Sequence, residues 1–147
     1  MSIVYVNLGS NLGDRKRIID TALEKISEKF GICCISEFIE SEPWGYESEN
    51  RFLNLGVSFA TTLLPEQVLS ELQVIEKSIC SNSHRDSEGR YIDREIDVDI
   101  MAIDDIVYKS NRLQIPHPHL YERDFFIKPL LELNPFWKCN IKPRDIK

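Results

Sequence analysis

Residues 94–100 read Arg-Glu-Ile-Asp-Val-Asp-Ile, so that apolar and acidic side chains alternate along the stretch. A period of two is typical of a β-strand with one buried face. Asp97 and Asp99 then stand side by side, opposite Ile96 and Val98 and about 6–7 Å apart along the strand. Carboxylates this close repel one another unless a cation such as phosphate-bound Mg²⁺ relieves them. The stretch therefore predicts either a Mg²⁺ site or an edge strand that presents its acids to water.

The rest of the chain divides into strands and helices of a single α+β domain. Period-two segments predict strands, and apolar residues at helical spacing predict helices. The strands are expected at 3–8, 32–39, 52–61, 95–103 and 106–108, and the helices at 18–30, 65–79 and 124–133. This order, roughly βαββαβ with additions, predicts a ferredoxin-like antiparallel sheet with helices packed on it. At 147 residues the chain suits one compact domain, which we place at 1–147.

Charge and cysteine content narrow the class of protein. The net charge is −6, whereas affinity for a nucleic-acid backbone depends on clustered Lys and Arg. The four cysteines have no CxxC or Cys/His ligand spacing. Residues 1–6 lack the features of a signal peptide or a membrane span. We therefore expect a cytoplasmic monomer that binds neither nucleic acid nor membranes.

Six motifs in one order along the chain resemble the 6-hydroxymethyl-7,8-dihydropterin pyrophosphokinase family. They are LGSNLGDR at 8–15, FLN at 52–54, Gln73 with Glu76, DREIDVD at 93–99, IPHPH at 115–119, and RxF at 123–125 with PL at 129–130. The resemblance covers about residues 3–137. It implies transfer of diphosphate from ATP to the hydroxymethyl group of the pterin, release of AMP, and two Mg²⁺ ions. The implied partners are therefore small-molecule substrates.

The resemblance also implies roles for the polar residues expected around the phosphates. It assigns catalytic roles to Arg94, Asp97, Asp99, His117 and Arg123, and places both Mg²⁺ ions on the two aspartates. It assigns ATP contacts to Gln73, Glu76, Arg94, Arg112, His117 and Arg123. These residue types suit the chemistry, because a neutral histidine can donate a hydrogen bond to phosphate and an arginine offsets its charge.

Several of these residues also have plainer interpretations. Arg94 fits a surface salt bridge, and Gln73 with Glu76 fits a solvated helix face. His117 and His119 flank a proline and could instead be metal ligands, although no Cys or third His is nearby in the sequence.

Aromatic and amide residues are candidates for the pterin pocket. Phe52 and Phe125 are expected to stack on the flat pterin ring, and Asn54 shares a strand face with Phe52. Pro43, Trp44 and Gly45 are expected to line the pocket through backbone groups. Core packing is the alternative for the two phenylalanines.

Residues 80–83, Cys-Ser-Asn-Ser, depart from the family pattern. Members usually carry a glycine, an arginine and a further basic residue in a loop that closes over ATP. Loss of an arginine on a transferring phosphate can lower the rate by several orders of magnitude. Three alternatives therefore stay open: a weakly active relative that binds ATP–Mg²⁺ and a pterin, a paralogue with another acceptor alcohol, and a regulatory domain without Mg²⁺-dependent nucleotide binding.

Overall fold

The computed structural model describes residues 1–44, 46, 48–80 and 95–139. The elements are β1 Ser2–Ser10, α1 Arg15–Phe30, β2 Cys33–Ser41, β3 Phe52–Thr61, α2 Pro65–Ile79, β4 Asp97–Ile103, β5 Tyr108–Lys109, β6 Gln114–Ile115 and α3 Asp124–Leu133. Within these residues, no helix is both long enough and apolar enough to span a membrane.

The main sheet has the strand order β2-β3-β1-β4, and each neighbouring pair is antiparallel. β5 and β6 form a separate two-stranded sheet. With α1 and α2 connecting β1 to β2 and β3 to β4, this arrangement confirms the expected ferredoxin-like fold.

Local sequence signals set the helix ends. The Asp14 carboxylate caps α1 by accepting the Arg17 N–H at 3.3 Å. Gly31 follows α1 with a φ of 94°, which a residue without Cβ adopts at little cost. Pro65 opens α2, where its missing N–H would have no helical partner.

The two faces of the main sheet pack differently. On one face, alternate strand residues form a continuous apolar core with α1 and α2. On the other face, α3 packs on Tyr5, Met101 and Ala102 through Phe126 and Leu130. α3 approaches the sheet closely at Gly56, where an added Cβ would lie 2.6 Å from the Cβ of Pro129.

The limits of several strands differ from the expected ones, and β2 runs Cys33–Ser41 instead of 32–39. β1 extends through Gly9 and Ser10 because these residues pair with Asn54 and Leu53 of β3, and this pairing outweighs their preference for turns. β4 begins at Asp97, two residues later than expected. The first hairpin strand is Tyr108–Lys109 instead of 106–108. It starts later because Ile106 belongs to a turn, in which its N–H donates to the Ile103 carbonyl.

Candidate active site

The two aspartates of β4 lie on the sheet face that carries α3. Across the strands, Asp97 pairs with Gly9, and Gly9 pairs with Asn54. Asp99 pairs with Asn7 in the neighbouring row. The apolar residues that alternate with them, Ile96, Val98 and Ile100, pack into the core with α1 and α2. The period-two prediction for this strand is therefore confirmed.

The donor set at the aspartates suits Mg²⁺. In the described part of the chain, no three His, Cys, Asp or Glu side chains form a group that could hold a metal ion by themselves. Asp97 and Asp99 offer two carboxylates on adjacent positions of one strand face. Mg²⁺ at nucleotide sites is commonly held by one or two carboxylates, with phosphate oxygens and water completing the octahedron. The two aspartates fit that pattern.

A cleft of about 360 Å³ opens beside Asp99. Arg112 and His117 also line it, together with residues of the β5–β6 hairpin. Arg112 donates from Nη2 to Oε1 of Gln73 at 3.1 Å, so that the structure brings these two expected ATP contacts together. The cleft thus joins an acid, a permanent cation and an imidazole in one cavity.

Glu76 lies near the start of β4, next to Cys80. Cys80, at the end of α2, donates from Sγ to the Ile96 carbonyl at 3.2 Å. Burial raises the pKa of the Cys80 thiol, and the carboxylates of Glu76, Glu95 and Asp97 raise it further. Glu76 and Asp97 therefore both lie close enough to the Cys80 thiol to act on its charge.

His117 is held in its neutral form. Burial lowers its pKa to about 3, and the charges of Arg123 and His119 contribute to the decrease. Its Nδ1 accepts the backbone N–H of His119 at 3.1 Å, so the ring proton belongs on Nε2. The ring also packs edge-on against Phe126, with centroids 4.9 Å apart. His117 is therefore oriented as a neutral hydrogen-bond donor.

Arg123 lies at the start of α3 among aromatic rings. Its guanidinium carbon is 4.2 Å from the ring centroid of Trp44 and 4.9 Å from that of Phe126. Trp44 belongs to the segment between β2 and β3, where Pro43 and Trp44 were expected to act through backbone groups. The contact between the Trp44 side chain and Arg123 was not predicted from the sequence.

Phe52 and Asn54 lie on the sheet face that carries the aspartates. Phe52 is 8% exposed and Asn54 is 1% exposed. The Asn54 amide nitrogen donates to the Ile39 carbonyl at 3.1 Å and to Ser41 Oγ at 2.9 Å, which leaves recognition of a ligand chiefly to its carbonyl oxygen. That oxygen and the Phe52 ring would lie 3.1 and 3.4 Å from a Cβ at Gly9.

Phe125, the other expected stacking residue, is linked to the same sheet face through its backbone carbonyl. The Asn7 side chain donates from Nδ2 to the Phe125 carbonyl at 2.7 Å. The Phe125 ring packs on Phe126, with centroids 5.1 Å apart. Stacking of Phe52 and Phe125 on one ligand stays a prediction.

Two expected site residues, Arg94 and Gly45, lie outside the described residues, as do positions 81–93 of the altered loop.

Two positioning features had not been identified from the sequence. Asn7 is a polar residue in an apolar strand and is only 2% exposed, and the interruption of the strand pattern could have identified it. Ser110 donates to Glu66 Oε1 at 2.6 Å and accepts the backbone N–H groups of Arg112 and Leu113. It thereby fixes the turn that carries Arg112. No local pattern connects Glu66 to Ser110.

The chain matches known proteins along nearly its whole length. The sequence profile of the 7,8-dihydro-6-hydroxymethylpterin-pyrophosphokinase (HPPK) family matches residues 5–135. The chain belongs to the HPPK family. The 2-amino-4-hydroxy-6-hydroxymethyldihydropteridine pyrophosphokinase of Aquifex aeolicus is 42% identical over 135 residues, which cover 92% of this chain and 82% of that protein. The Porphyromonas gingivalis protein of the same name is 40% identical over 140 residues, covering 92% and 93% of the two chains.

Solved structures agree on the fold. A crystal structure of HPPK-DHPS in complex with substrates superposes with a TM-score of 0.73 at 14% identity, covering 95% of this chain and 43% of that chain. Plasmodium falciparum HPPK-DHPS with pteroate gives a TM-score of 0.68 at 18% identity and covers 97% and 41%. The chain thus spans less than half the length of these solved proteins. The predicted family, fold and pyrophosphokinase activity are confirmed.

Proposed function

We propose that this HPPK transfers diphosphate from ATP to the hydroxymethyl group of 6-hydroxymethyl-7,8-dihydropterin, releasing AMP, in folate biosynthesis. The observation that carries the proposal is one continuous sheet face. Asp97, Gly9 and Asn54 form a row across three strands of that face, and the cleft lined by Asp99 opens beside it. Acids for a metal–triphosphate complex therefore adjoin amide and aromatic groups that suit a flat heterocycle.

Two Mg²⁺ ions would be held by Asp97 and Asp99 together with oxygens of the triphosphate. When bound, the ions would neutralise charge on the attacking and leaving oxygens. The contribution of the chain is to hold both carboxylates on a rigid strand whose opposite side chains are anchored in the core.

In the reaction, the pterin hydroxyl oxygen would form a bond to the β-phosphorus of ATP. The bond from that phosphorus to the oxygen of the α-phosphate would break, AMP would leave with the electron pair, and the hydroxyl proton would pass to water. His117 does not suit the role of base, because its Nδ1 is occupied by the His119 N–H and its Nε2 carries the proton. It would instead donate from Nε2 to a phosphate oxygen.

The arginines would stabilise the charge of the triphosphate. Arg112 lines the cleft and is supported by Gln73. Arg123 presents a planar fork of N–H donors that matches phosphate oxygens. The family resemblance gives Arg94 the same role and places Glu76 among the residues of the ATP site.

The pterin would bind next to Gly9. Phe52 and Phe125 would contact its ring faces, the Asn54 carbonyl oxygen would accept from its amide-like edge, and Pro43, Trp44 and Gly45 would complete the pocket. Absence of a Cβ at Gly9 keeps the space between Asn54 and Phe52 open.

We further propose one pyrophosphokinase domain at residues 1–147, acting as a cytoplasmic monomer on small-molecule substrates. The weakly active relative is disfavoured by membership of the HPPK family and by curated pyrophosphokinases at 40–42% identity. The altered positions 80–83 concern the rate and leave the reaction type unchanged.

The test follows AMP formation by purified protein with ATP, Mg²⁺ and the pterin. We expect pterin-dependent AMP that disappears when Mg²⁺ is removed with EDTA and falls by at least ~10³-fold in Asp97→Asn, because several kcal/mol of charge stabilisation would be lost. Asp20→Asn is the matched control: Asp20 is a half-exposed helix carboxylate paired with Lys16, and its loss should leave the rate unchanged.

Mg²⁺-dependent ATP binding without AMP formation would overturn the proposal in favour of the weakly active relative. Ser81→Arg would then be the variant expected to restore turnover. Nucleotide binding that does not depend on Mg²⁺ would instead indicate the regulatory domain.

A further inference from the structure

The side chain of Asn7 has a fixed orientation because its amide nitrogen has a defined acceptor. Pro129 lies inside α3 and has no N–H, so the Phe125 carbonyl, four residues earlier, lacks the donor that a regular helix would supply. Asn7 supplies a donor instead, from Nδ2 at 2.7 Å. Since a carbonyl can only accept, the nitrogen of the Asn7 amide is the atom turned toward α3, and the oxygen is left for another partner.

The oxygen of the Asn7 amide faces the space above Gly9. An added Cβ at Gly9 would lie 3.7 Å from Asn7 Oδ1, 3.1 Å from Asn54 Oδ1 and 3.4 Å from the Phe52 ring. The amide nitrogen of Asn54 is likewise held elsewhere, by two oxygens of β2. Two amide oxygens and an aromatic ring therefore converge on a position where the chain itself places no side chain.

Within the described residues, neither amide oxygen has a hydrogen-bond donor, since the bonds of Asn7 and Asn54 all run through their nitrogens. The two residues are 2% and 1% exposed. Neither oxygen belongs to the enclosed atoms that lack a bond, so each keeps access to solvent. Buried acceptors are normally paired, because an acceptor without a donor is costly. The pair therefore suits a ligand that brings N–H or O–H groups.

The two oxygens differ in their distance from the aspartates. Asn7 is the cross-strand partner of Asp99, so their Cα atoms are about 4.5–5.5 Å apart. Asn54 is separated from Asp97 by Gly9, which puts two strand spacings, about 9–10 Å, between them. In the proposed reaction, the hydroxymethyl group must approach the metal-binding aspartates, whereas the amide-like edge of the pterin bonds to Asn54. Asn7 is therefore the amide nearer to the reacting hydroxyl.

We propose that Asn7 contacts the substrate and that its Oδ1 accepts the O–H of the pterin hydroxymethyl group. The proposal rests on the pyrophosphokinase function given above. It adds a residue that precedes the LGSNLGDR motif and to which the family resemblance assigned no role. The bond would orient the hydroxyl so that a lone pair of its oxygen faces the β-phosphorus. A neutral amide oxygen is too weakly basic to remove the proton, which still passes to water as the bond to phosphorus forms.

The bond to α3 is a separate role of the same side chain, and Asn134 provides the matched control for it. Asn134 Nδ2 donates to Tyr5 Oη at 3.1 Å, so this amide also ties β1 to α3. It lies at the opposite end of α3 from Phe125. Asn134→Leu therefore removes a link between β1 and α3 without removing an acceptor above Gly9.

The first experiment is a cycle between protein and ligand. Calorimetry with Mg²⁺ and a non-hydrolysable ATP analogue measures the Kd of 6-hydroxymethyl-7,8-dihydropterin and of 6-methyl-7,8-dihydropterin, which lacks only the hydroxyl. The preference for the hydroxymethyl ligand should fall about five- to ten-fold in Asn7→Ala and in Asn7→Leu, the order of one hydrogen bond. It should stay unchanged in Asn134→Leu. Any contact of the hydroxyl with Mg²⁺ cancels, because it is common to all the proteins compared.

The outcomes separate this proposal from the proposed function. Equal weakening of both ligands in the Asn7 variants would overturn the proposal, because the link to α3 and a bond to a ring N–H do not depend on the hydroxyl. Unchanged binding of both ligands would also overturn it, and both results would leave the pyrophosphokinase assignment intact. Failure of the unchanged protein to bind either pterin would overturn the proposed function and the role of Asn7 together.

Steady-state kinetics provide a second readout. The O–H becomes more acidic as its oxygen attacks phosphorus, so its bond to Asn7 should strengthen in the transition state. Asn7→Ala should therefore lower kcat about five- to ten-fold, while the KM for ATP stays within about two-fold. Asn134→Leu should keep the kcat of the unchanged protein. Equal decreases of kcat in Asn7→Ala and Asn134→Leu would assign the effect to the packing of α3 and overturn the proposal.

Discussion

The two faces of the main sheet are built from the same strands and are buried to a similar degree, yet one forms the apolar core and the other carries the candidate active site. On the face covered by α1 and α2, the strand residues are apolar, as with Val6 and Leu8. On the other face, Asn7 and Asn54 are 2% and 1% exposed; Asn7 pairs with Asp99, and Asn54 lies in the same row as Asp97 with Gly9 between them. Burial alone therefore does not distinguish core from site, whereas the chemistry of what is buried does.

The polar face is stable because its amide groups are satisfied. Asn7 donates to the Phe125 carbonyl, and Asn54 donates to the Ile39 carbonyl and Ser41. Buried amides lacking such bonds would each cost about 1–3 kcal/mol. These bonds orient the site and fasten α3 and β2 to its sides, so the same contacts contribute to both stability and site geometry.

The sharpest test of the comparison is Asp99→Asn. It keeps the size of the side chain but removes a charge from the polar face, so we expect kcat to fall by at least ~10³-fold. The melting temperature should fall little or rise, since repulsion with Asp97 is relieved. AMP release at saturating substrates and thermal unfolding measure the two effects. Activity within ten-fold of the unchanged protein would mean that the aspartates are not the metal ligands.

On the apolar face, we expect the opposite result from Leu8→Ala. Leu8 is fully buried in the core with α1 and α2, and truncation should lower the free energy of unfolding by about 2–5 kcal/mol. Urea unfolding measures the loss. The kcat per folded molecule should change less than two-fold, because Leu8 points away from the site. A parallel loss of kcat would show that the faces are not separable.

Substitutions at Gly56 and Gly9 separate the part of the polar face that packs on α3 from the part that would bind the pterin. In Gly56→Ala the new Cβ would lie 2.6 Å from Pro129, so α3 must shift, and we expect a loss of about 1–3 kcal/mol in unfolding free energy. In Gly9→Ala the Cβ would lie 3.1 Å from Asn54 Oδ1, in the proposed pterin pocket. There we expect a several-fold increase in the KM for the pterin and a smaller loss of stability. The reverse pattern would place the pterin elsewhere.

The smallest expected effect is a pH dependence of stability from His117. Its pKa is about 3 in the folded protein, lowered by burial, against about 6.5 when unfolded. The unfolded state therefore binds more protons between these values, and this contribution to stability is present above pH 6.5 and is lost as the pH falls. Between pH 7 and 5.5 it amounts to about 1.2 kcal/mol.

His117→Asn provides the comparison for this effect. Asparagine can still accept the His119 N–H but does not titrate. Urea unfolding at pH 7 and 5.5 should show a smaller decrease in the variant than in the unchanged protein. Equal decreases would mean that His117 is accessible to protons in the folded state.

Much of the fold and part of the site followed from local patterns. The alternation in 96–100 identified both the strand and the aspartate pair, and β3 was placed at Phe52–Thr61 in advance. The limits of β1 and β4 were less accurate, because a strand ends where its partner ends. The prediction for Asn54 was incomplete for a related reason. Its amide nitrogen donates to Ile39 and Ser41 of β2, which lie 13–15 residues away in sequence.

The sequence by itself determined which side chains share a strand face and which helix ends are capped, because alternation and capping act over a few residues. It also determined the family, because the motifs occur in one order. Only the tertiary structure decided that the Trp44 ring contacts Arg123, that Ser110 is fixed by Glu66, and that His117 is neutral. Each of these depends on a partner or an environment that the folded sheet supplies, and spacing along the chain carries no record of it.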